Sequence, residues 1–315
     1  MSNSPEFNPQ SFAVIGAGPV GSIVAAFLAK NGYDVTLCDI IPELVNPALD
    51  PGIIIDGAED VQQKVTRVCT SVDELGDYNP DVVFITVKAN ALPLIVSAIE
   101  TFYKEGIYVV SWQNGIDTEK EIAATLGDKA ALRAVVNYGC GLKAPGHVHM
   151  PFHHPPHFIQ ELHPDSQHAA VGIADALTRS GLQTERTDQI ISMVWRKGVL
   201  NACMNPVCAV TGLTMAQSMT DPIVFNLVDN LVKECIKVAR ANEISLGWDF
   251  YPNAIEYMSK AGDHKPSMLM DIENGRRTEI DYINGKFVEY GHQAGIETPF
   301  NITLRSLVKG LESKR

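Results

Sequence analysis

No stretch of the 315-residue sequence approaches the roughly 20 consecutive apolar residues that a membrane span requires, so none is expected. Positive charge is scarce: 25 Lys and Arg stand against 37 Asp and Glu, a formal net charge of -12. Such an acidic surface repels nucleic acid and anionic membrane, and neither is expected as a partner. The first ten residues, MSNSPEFNPQ, lack a basic start and an apolar run, so neither a secretory signal nor a transit peptide is expected there. They read as a short flexible lead, residues 1–10. There is no CxxC pair among Cys38, Cys69, Cys140, Cys203, Cys208 and Cys235, and no solenoid-type repeat. Scattered thiols among apolar neighbours fit buried free cysteines in a cytoplasmic protein. What remains, 45% hydrophobic and 20% charged residues, suffices for one large or two ordinary globular domains.

The run SFAVIGAGPVGSIVAAFLAKNGYDVTLCDI, from Ser11, reads as strand, glycine turn, apolar-faced helix, Gly32 stop and second strand. Gly16, Gly18 and Gly21 spell GxGxxG directly after the strand and at the helix start, the context that a dinucleotide-binding motif requires. Gly16 makes the tight turn, Gly18 admits a pyrophosphate to the backbone, and Gly21 lets helix and strand pack closely. The helix N-terminus offers N–H groups and a positive dipole end to phosphate, so Gly16, Ala17, Gly18, Pro19, Val20 and Gly21 are candidate cofactor residues. Asp39 closes the second strand, where a carboxylate accepts ribose hydroxyls and repels a 2′-phosphate. No Lys or Arg follows it before Lys64. NAD is expected in preference to NADP.

A doubly wound pattern continues. Strands are expected at Lys64–Thr70, Asp81–Val87 and Ile107–Trp112, with helices at Leu92–Tyr103, near Thr118–Leu126, and at Ser166–Ser180. Lys88 and Asn114 follow strand carboxyl ends, where such sheets bind ligands; the Asn114-Gly115 pair also suits a plain turn. Ala130–Gly141 and Gly146–Leu162 read as antiparallel strands closing the sheet. This region holds His147, His149, His153, His154, His157 and His163, but Pro155 and Pro156 interrupt it and no carboxylate or cysteine complements them in sequence, so no metal is expected. Residues 11–187 therefore read as a Rossmann-type α/β domain.

Beyond residue 188 strand signals vanish, and 188–315 reads as an all-helical domain. Helices are expected at Gln189–Asn205, Pro222–Asn242, Tyr251–Lys260, Glu279–Gly295 and Asn301–Lys314. In WRKGVLNACMNP, Lys197, Asn201 and Asn205 follow at i, i+4 and i+8 and so share one helix face amid apolar residues. Burial lowers a lysine pKa toward the range useful for proton transfer. Equally, this lysine could snorkel from an apolar helix while the asparagines cap backbone near Pro206. Further on, Glu279 opens a helix, either as a dipole-favoured surface group or as a carboxylate facing Lys197.

With GAGPVG, VKAN, QNG, WRKGVLNACMNP, SMLMDIENGRRTEIDYINGKFVEYG and GIETPFN in this order, the chain resembles the ketopantoate reductase (2-dehydropantoate 2-reductase) family over nearly its whole length. The resemblance implies a Rossmann domain followed by a helical domain like that of 6-phosphogluconate dehydrogenase, with catalysis in the cleft between them. It implies Lys197 as general acid, Glu279 as the glutamate that fixes the substrate, and Asn201, Asn205 and Ser267 as substrate contacts. Asn114 matches the asparagine near the nicotinamide, and Lys88 the lysine after the fourth strand. Asp39 and the segment HMPFHHPPHF depart from the family pattern, which bears on the substrate more than on the reaction. A small 2-oxo acid is the expected partner, and a homodimer the expected assembly. A dehydrogenase of another hydroxy acid or an opine, and a nucleotide sensor without turnover, are the alternatives.

Overall fold

A computed structural model describes residues 6–314. Contacts divide it into two compact units: one runs to Gln113 and resumes over Asp117–Ile190, and the other joins Asn114–Ile116 to Ile191 and the rest of the chain. The expected division lay at 187/188, without the short excursion at 114–116.

The first unit opens with β1 (Ser11–Ile15), α1 (Pro19–Lys30), β2 (Asp34–Cys38) and a short α2 (Pro42–Val45). There follow β3 (Ile53–Gly57), β4 (Val61–Gln63), β5 (Arg67–Cys69), β6 (Val82–Ile85), α3 (Leu92–Glu100), β7 (Tyr108–Ser111) and α4 (Thr118–Leu126). The unit ends with β8 (Ala131–Val135), β9 (Tyr138–Ala144), β10 (His147–His153), β11 (His157–Glu161), α5 (Gln167–Arg179) and β12 (Thr184–Arg186).

Eight strands form one sheet in the order β12-β11-β8-β7-β6-β1-β2-β5. All its pairings are parallel except β8 with β11. Both faces are buried, since alternate residues of β1 enter opposite cores: Phe12 and Val14 one, Ala13 and Ile15 the other. The chain winds from β1 outward through β2 to β5, then resumes on the far side of β1 at β6. This is the switch point at which such sheets open a crevice beyond the strands' carboxyl ends.

The expected antiparallel closure is corrected in part. Of that region only β11 pairs antiparallel in the large sheet, while β8 joins it parallel. The β9–β10 hairpin instead leaves for a second sheet, β4-β3-β10-β9, by pairing β10 parallel to β3. The lead is also corrected. Met1–Pro5 lie outside the described residues, but Pro9 is buried, Phe7 packs edge-on against Tyr108 at 4.9 Å, and the Gln10 N–H donates to Asp81 at 2.8 Å. Aromatic burial and a carboxylate acceptor fix the chain ahead of β1.

The second unit contains α6 (Ile190–Thr211), α7 (Met215–Thr220), α8 (Pro222–Ala241), α9 (Phe250–Ser259), α10 (Ser267–Glu273), α11 (Asn284–Gln293) and α12 (Pro299–Glu312). Among its described residues there is no strand. The short helices α7 and α10 were not expected, and two expected boundaries miss by more than a helical turn. Helix α6 does not stop at Asn205 but continues through Pro206, because the carbonyl that the proline leaves without a donor finds a side chain. Glu279 does not open a helix: its carbonyl accepts from the Tyr282 and Ile283 N–H groups in a turn, and α11 starts only at Asn284.

Candidate active site

In the first unit the glycine turn is built at the switch point. Gly16 has φ of 110°, a left-handed conformation open to glycine, and its N–H donates to the Cys38 carbonyl at 2.7 Å. Thr86, just past β6, donates its hydroxyl to the carbonyls of Ile15 and Gly16 at 2.8 and 3.1 Å. The turn is thus tied to the adjacent strand end, and sequence reasoning missed the residue that ties it.

Gly18 caps α1 with extended backbone (φ -69°), and nothing lies within 4 Å of where a Cβ would be. Pro19 opens the helix without a donor to satisfy, which leaves the N–H groups of Val20 and Gly21 for an anion. Asp39 ends the second strand of the motif, where its carboxylate accepts from the Ala17 N–H at 2.8 Å and from Ile41 N–H at 3.1 Å. Lys64, the first basic residue after it, pairs with Asp50 at 2.8 Å. A dinucleotide fits this cradle: open space at Gly18, unspent helix N–H groups, and a carboxylate fixed beside the turn.

Lys88 is half-buried three residues past the end of β6. Gln113 donates to the carbonyl of Val87 at 2.7 Å and so links the loops after β6 and β7. Beneath it, buried Arg133 donates to Ser111 at 2.8 Å and Thr118 at 2.6 Å, with Glu119 at 3.5 Å. Burial pushes the Glu119 carboxyl up, with Arg133 opposing. Neither Gln113 nor this network was among the candidates.

Three of the histidines find carboxylates after all, from 90 or more residues away in sequence. His147 and His149, on one face of β10, both reach Asp56 of β3 at 2.6 Å, and Lys143 joins at 2.7 Å. Asn137 N–H donates to His157 Nδ1, so His157 Nε2 donates to His153 Nε2 at 3.3 Å and His153 Nδ1 faces Glu59 at 3.0 Å. His154 stacks on Phe152, and His163 accepts from the Asp165 N–H. Among the described residues no group of three or more His, Cys, Asp or Glu could hold a metal ion.

In the second unit Lys197 and Asn201 are half-buried on α6 and Asn205 is buried. Gly198 brings a neighbour close: a Cβ there would lie 3.2 Å from the Ile116 side chain. Ile116 N–H in turn donates to the carbonyl of Tyr282 at 3.0 Å. The segment carrying Asn114 is therefore laid against α6 beside Lys197 and against the turn that carries buried Glu279. An isolated glycine inside a helical pattern signals such close packing, and Gly198 was that signal. Ser267 is exposed at the start of α10. The side chains of Asn114, Asn201, Asn205 and Ser267 make no hydrogen bond among the described residues. Buried amides are normally bonded, so Asn205 and half-buried Asn201 offer unspent donors and acceptors to a ligand.

Residues 12–158 match the family model for ketopantoate reductase PanE/ApbA, and residues 189–312 match that for its C-terminal part. The 2-dehydropantoate 2-reductase of Pyrococcus horikoshii is 30% identical over 95% of this chain and 97% of its own length. The chain belongs to the ketopantoate reductase family. The 2-dehydropantoate 2-reductase of Archaeoglobus fulgidus is also 30% identical, over 96% of this chain and 98% of its own. Among solved structures, a PanE/ApbA family ketopantoate reductase from Ralstonia eutropha superposes with a TM-score of 0.86 at 26% identity, covering 96% and 98% of the two chains. D-mandelate dehydrogenase with NADH and anilino(oxo)acetate gives 0.86 at 29% identity with the same coverage. The protein is thus an NAD(P)-dependent oxidoreductase of a family that takes in 2-dehydropantoate 2-reductases and a D-mandelate dehydrogenase. Its fold, a Rossmann-type sheet domain followed by a helical domain, is that of its relatives.

Proposed function

We propose that the protein is an NADH-dependent reductase of a small 2-oxo acid, with ketopantoate (2-dehydropantoate) as leading substrate and pantoate as product. The observation that carries this reading is the face of α6, where Lys197 shares a line with two amides that no described residue uses. Bound NADH supplies the hydride to the keto carbon. Lys197 gives a proton to the oxygen that becomes the alkoxide, and its positive charge stabilises that oxygen beforehand. Asn201, Asn205 and Ser267 hold carboxylate and hydroxyl oxygens, Glu279 accepts from a substrate hydroxyl, and Asn114 orients the nicotinamide carboxamide or the substrate. Gly16 to Gly21 and Lys88 hold the cofactor phosphates, and Asp39 selects NAD by repelling a 2′-phosphate. The engagement of Lys64 with Asp50 supports that preference, since it leaves no nearby basic partner in sequence for the phosphate.

A second 2-oxo acid stays in view because the likeness to D-mandelate dehydrogenase, 29%, is close to the 30% to the 2-dehydropantoate 2-reductases. A homodimer is part of the proposal, with Trp248, 94% exposed, as an apolar contact. The test is a panel of 2-oxo acids with NADH and NADPH in parallel, on wild type and Lys197→Ala. Loss of the proton donor should lower kcat about 10²–10⁴-fold. Near-wild-type kcat in Lys197→Ala would overturn the mechanism, and tight NADH binding without turnover on any oxo acid would favour a sensor.

A further inference from the structure

In an α-helix the N–H of residue 206 would donate to the carbonyl of Ala202, but Pro206 has no N–H. That carbonyl is nevertheless satisfied: Asn284 donates to it from Nδ2 at 3.0 Å. The same amide donates to Asn301 Oδ1 at 2.8 Å, and Asn301 Nδ2 donates to Glu234 at 2.8 Å. Glu234 also accepts from the N–H groups of Phe300 and Asn301 at 3.1 and 2.8 Å. Asn284 and Asn301 are fully buried. Since Ala202 O and Asn301 Oδ1 can only accept, the orientation of the Asn284 amide is fixed by its two partners.

We propose that Asn284 is a positioning residue that acts through the Ala202 carbonyl to set the geometry of Lys197, Asn201 and Asn205 on α6. The proline interrupts the hydrogen-bond ladder between Ala202 and residue 206, so Asn205 stands at the break and Lys197 lies before it. Without the strap, the register between the proton donor and the last amide rests on the weakest point of the helix. Asn284 also begins α11, and the turn before it is closed by Gly285 N–H on Ile280 O at 2.9 Å and by Tyr282 and Ile283 N–H on Glu279 O. One amide thereby joins the helix of Lys197 to the turn of Glu279. The kinetic part of this inference rests on the reading of Lys197 and the asparagines as the substrate site.

The experiment is a double-mutant cycle in the full chain with Asn284→Ala and Pro206→Ala. Asn284→Ala should lower kcat/KM for the oxo acid roughly 10- to 100-fold by misplacing reacting groups, while the Kd for NADH stays within about twofold. Pro206→Ala returns an N–H to the Ala202 carbonyl, so adding it to Asn284→Ala should recover most of that loss. No recovery, or an equal loss in NADH affinity, overturns the proposal. Should Asn284→Ala alone not fold, Pro206→Ala is compared with the double variant: similar kcat/KM supports the strap, and a tenfold further loss overturns it. The cycle is also read in Tm, which needs no turnover. Pro206→Ala should raise the Tm of Asn284→Ala more than that of wild type, and additive Tm shifts overturn the proposal. Wild type inert toward every oxo acid would instead sink the functional reading while leaving the Tm cycle to judge the strap.

Discussion

Gly18 and Gly21 lie three residues apart in one motif, yet a methyl group added to each should fail in a different way. At Gly21 a Cβ would stand 1.8 Å from the Gly16 carbonyl oxygen and 2.5 Å from Thr86 Oγ1, against the 3.4 Å at which ordinary contact begins. The Gly16 carbonyl must retreat by more than about 1 Å, yet it already accepts from Thr86, and Gly16 N–H is held on β2. Overpacking of this kind costs about 1–3 kcal/mol. For a domain of this size that lowers Tm by roughly 2–12 °C. At Gly18 a Cβ meets nothing within 4 Å and φ is -69°, so the fold has room. The small cost of alanine as a helix cap is offset by the lost freedom of the unfolded chain, each under about 1 kcal/mol. That open space is where the backbone admits a pyrophosphate, so Gly18→Ala should weaken NADH about tenfold or more, the equivalent of ~1.4 kcal/mol. Thermal melts without cofactor and NADH fluorescence titrations separate the two. The reasoning is refuted if Gly18→Ala melts as early as Gly21→Ala, or binds NADH as tightly as wild type.

Three further outcomes are expected. Thr86→Val keeps shape but loses both hydroxyl bonds to the glycine turn, so KM for NADH should rise about fivefold, with Thr86→Ser restoring it; an unchanged KM in Thr86→Val would remove Thr86 from the cofactor argument. Asp39→Asn should lower the ratio of kcat/KM with NADH to that with NADPH by about tenfold, because the charge that repels a 2′-phosphate is gone; a constant ratio would count against Asp39 as selector. Lys143 first, then His149 and His147, hold the Asp56 carboxyl below its ordinary 3.8, and a depressed carboxylate gives stability present above 3.8 and lost as pH falls through its lowered value. Asp56→Asn should therefore lower Tm at about pH 7, with the gap to wild type closing only below 3.8; a gap that persists undiminished in strong acid would contradict the assignment.

What could be read from the sequence lies within single elements. GAGPVG carries its strand, turn and helix start in consecutive residues, and Lys197, Asn201 and Asn205 reveal their common face by spacing alone. What could not be read depends on partners far away in the chain. Thr86 lies 71 residues from the Ile15 carbonyl it ties, and His147 lies 91 residues from Asp56. The second sheet went unforeseen because β10 chooses β3, a short strand that ends in Gly57, over the edge of the large sheet. Pro206 is the sharpest case. Local chemistry ends a helix there, and an amide 82 residues from Ala202 overrides it.

Asparagine plays two opposite parts in the helical unit, and the count of its hydrogen bonds tells them apart. Asn284 and Asn301 are fully buried and donate to defined acceptors, so their amides are committed to holding helices together. Asn201 and Asn205 stand on α6 on either side of the strapped carbonyl with amides that no described residue engages. Neither amide is among the buried polar atoms left without a partner, so both can be hydrated until a ligand with carboxylate and hydroxyl oxygens displaces that water. The committed pair holds the helix through Pro206 from outside, and the amides of Asn201 and Asn205 on its own polar face stay open.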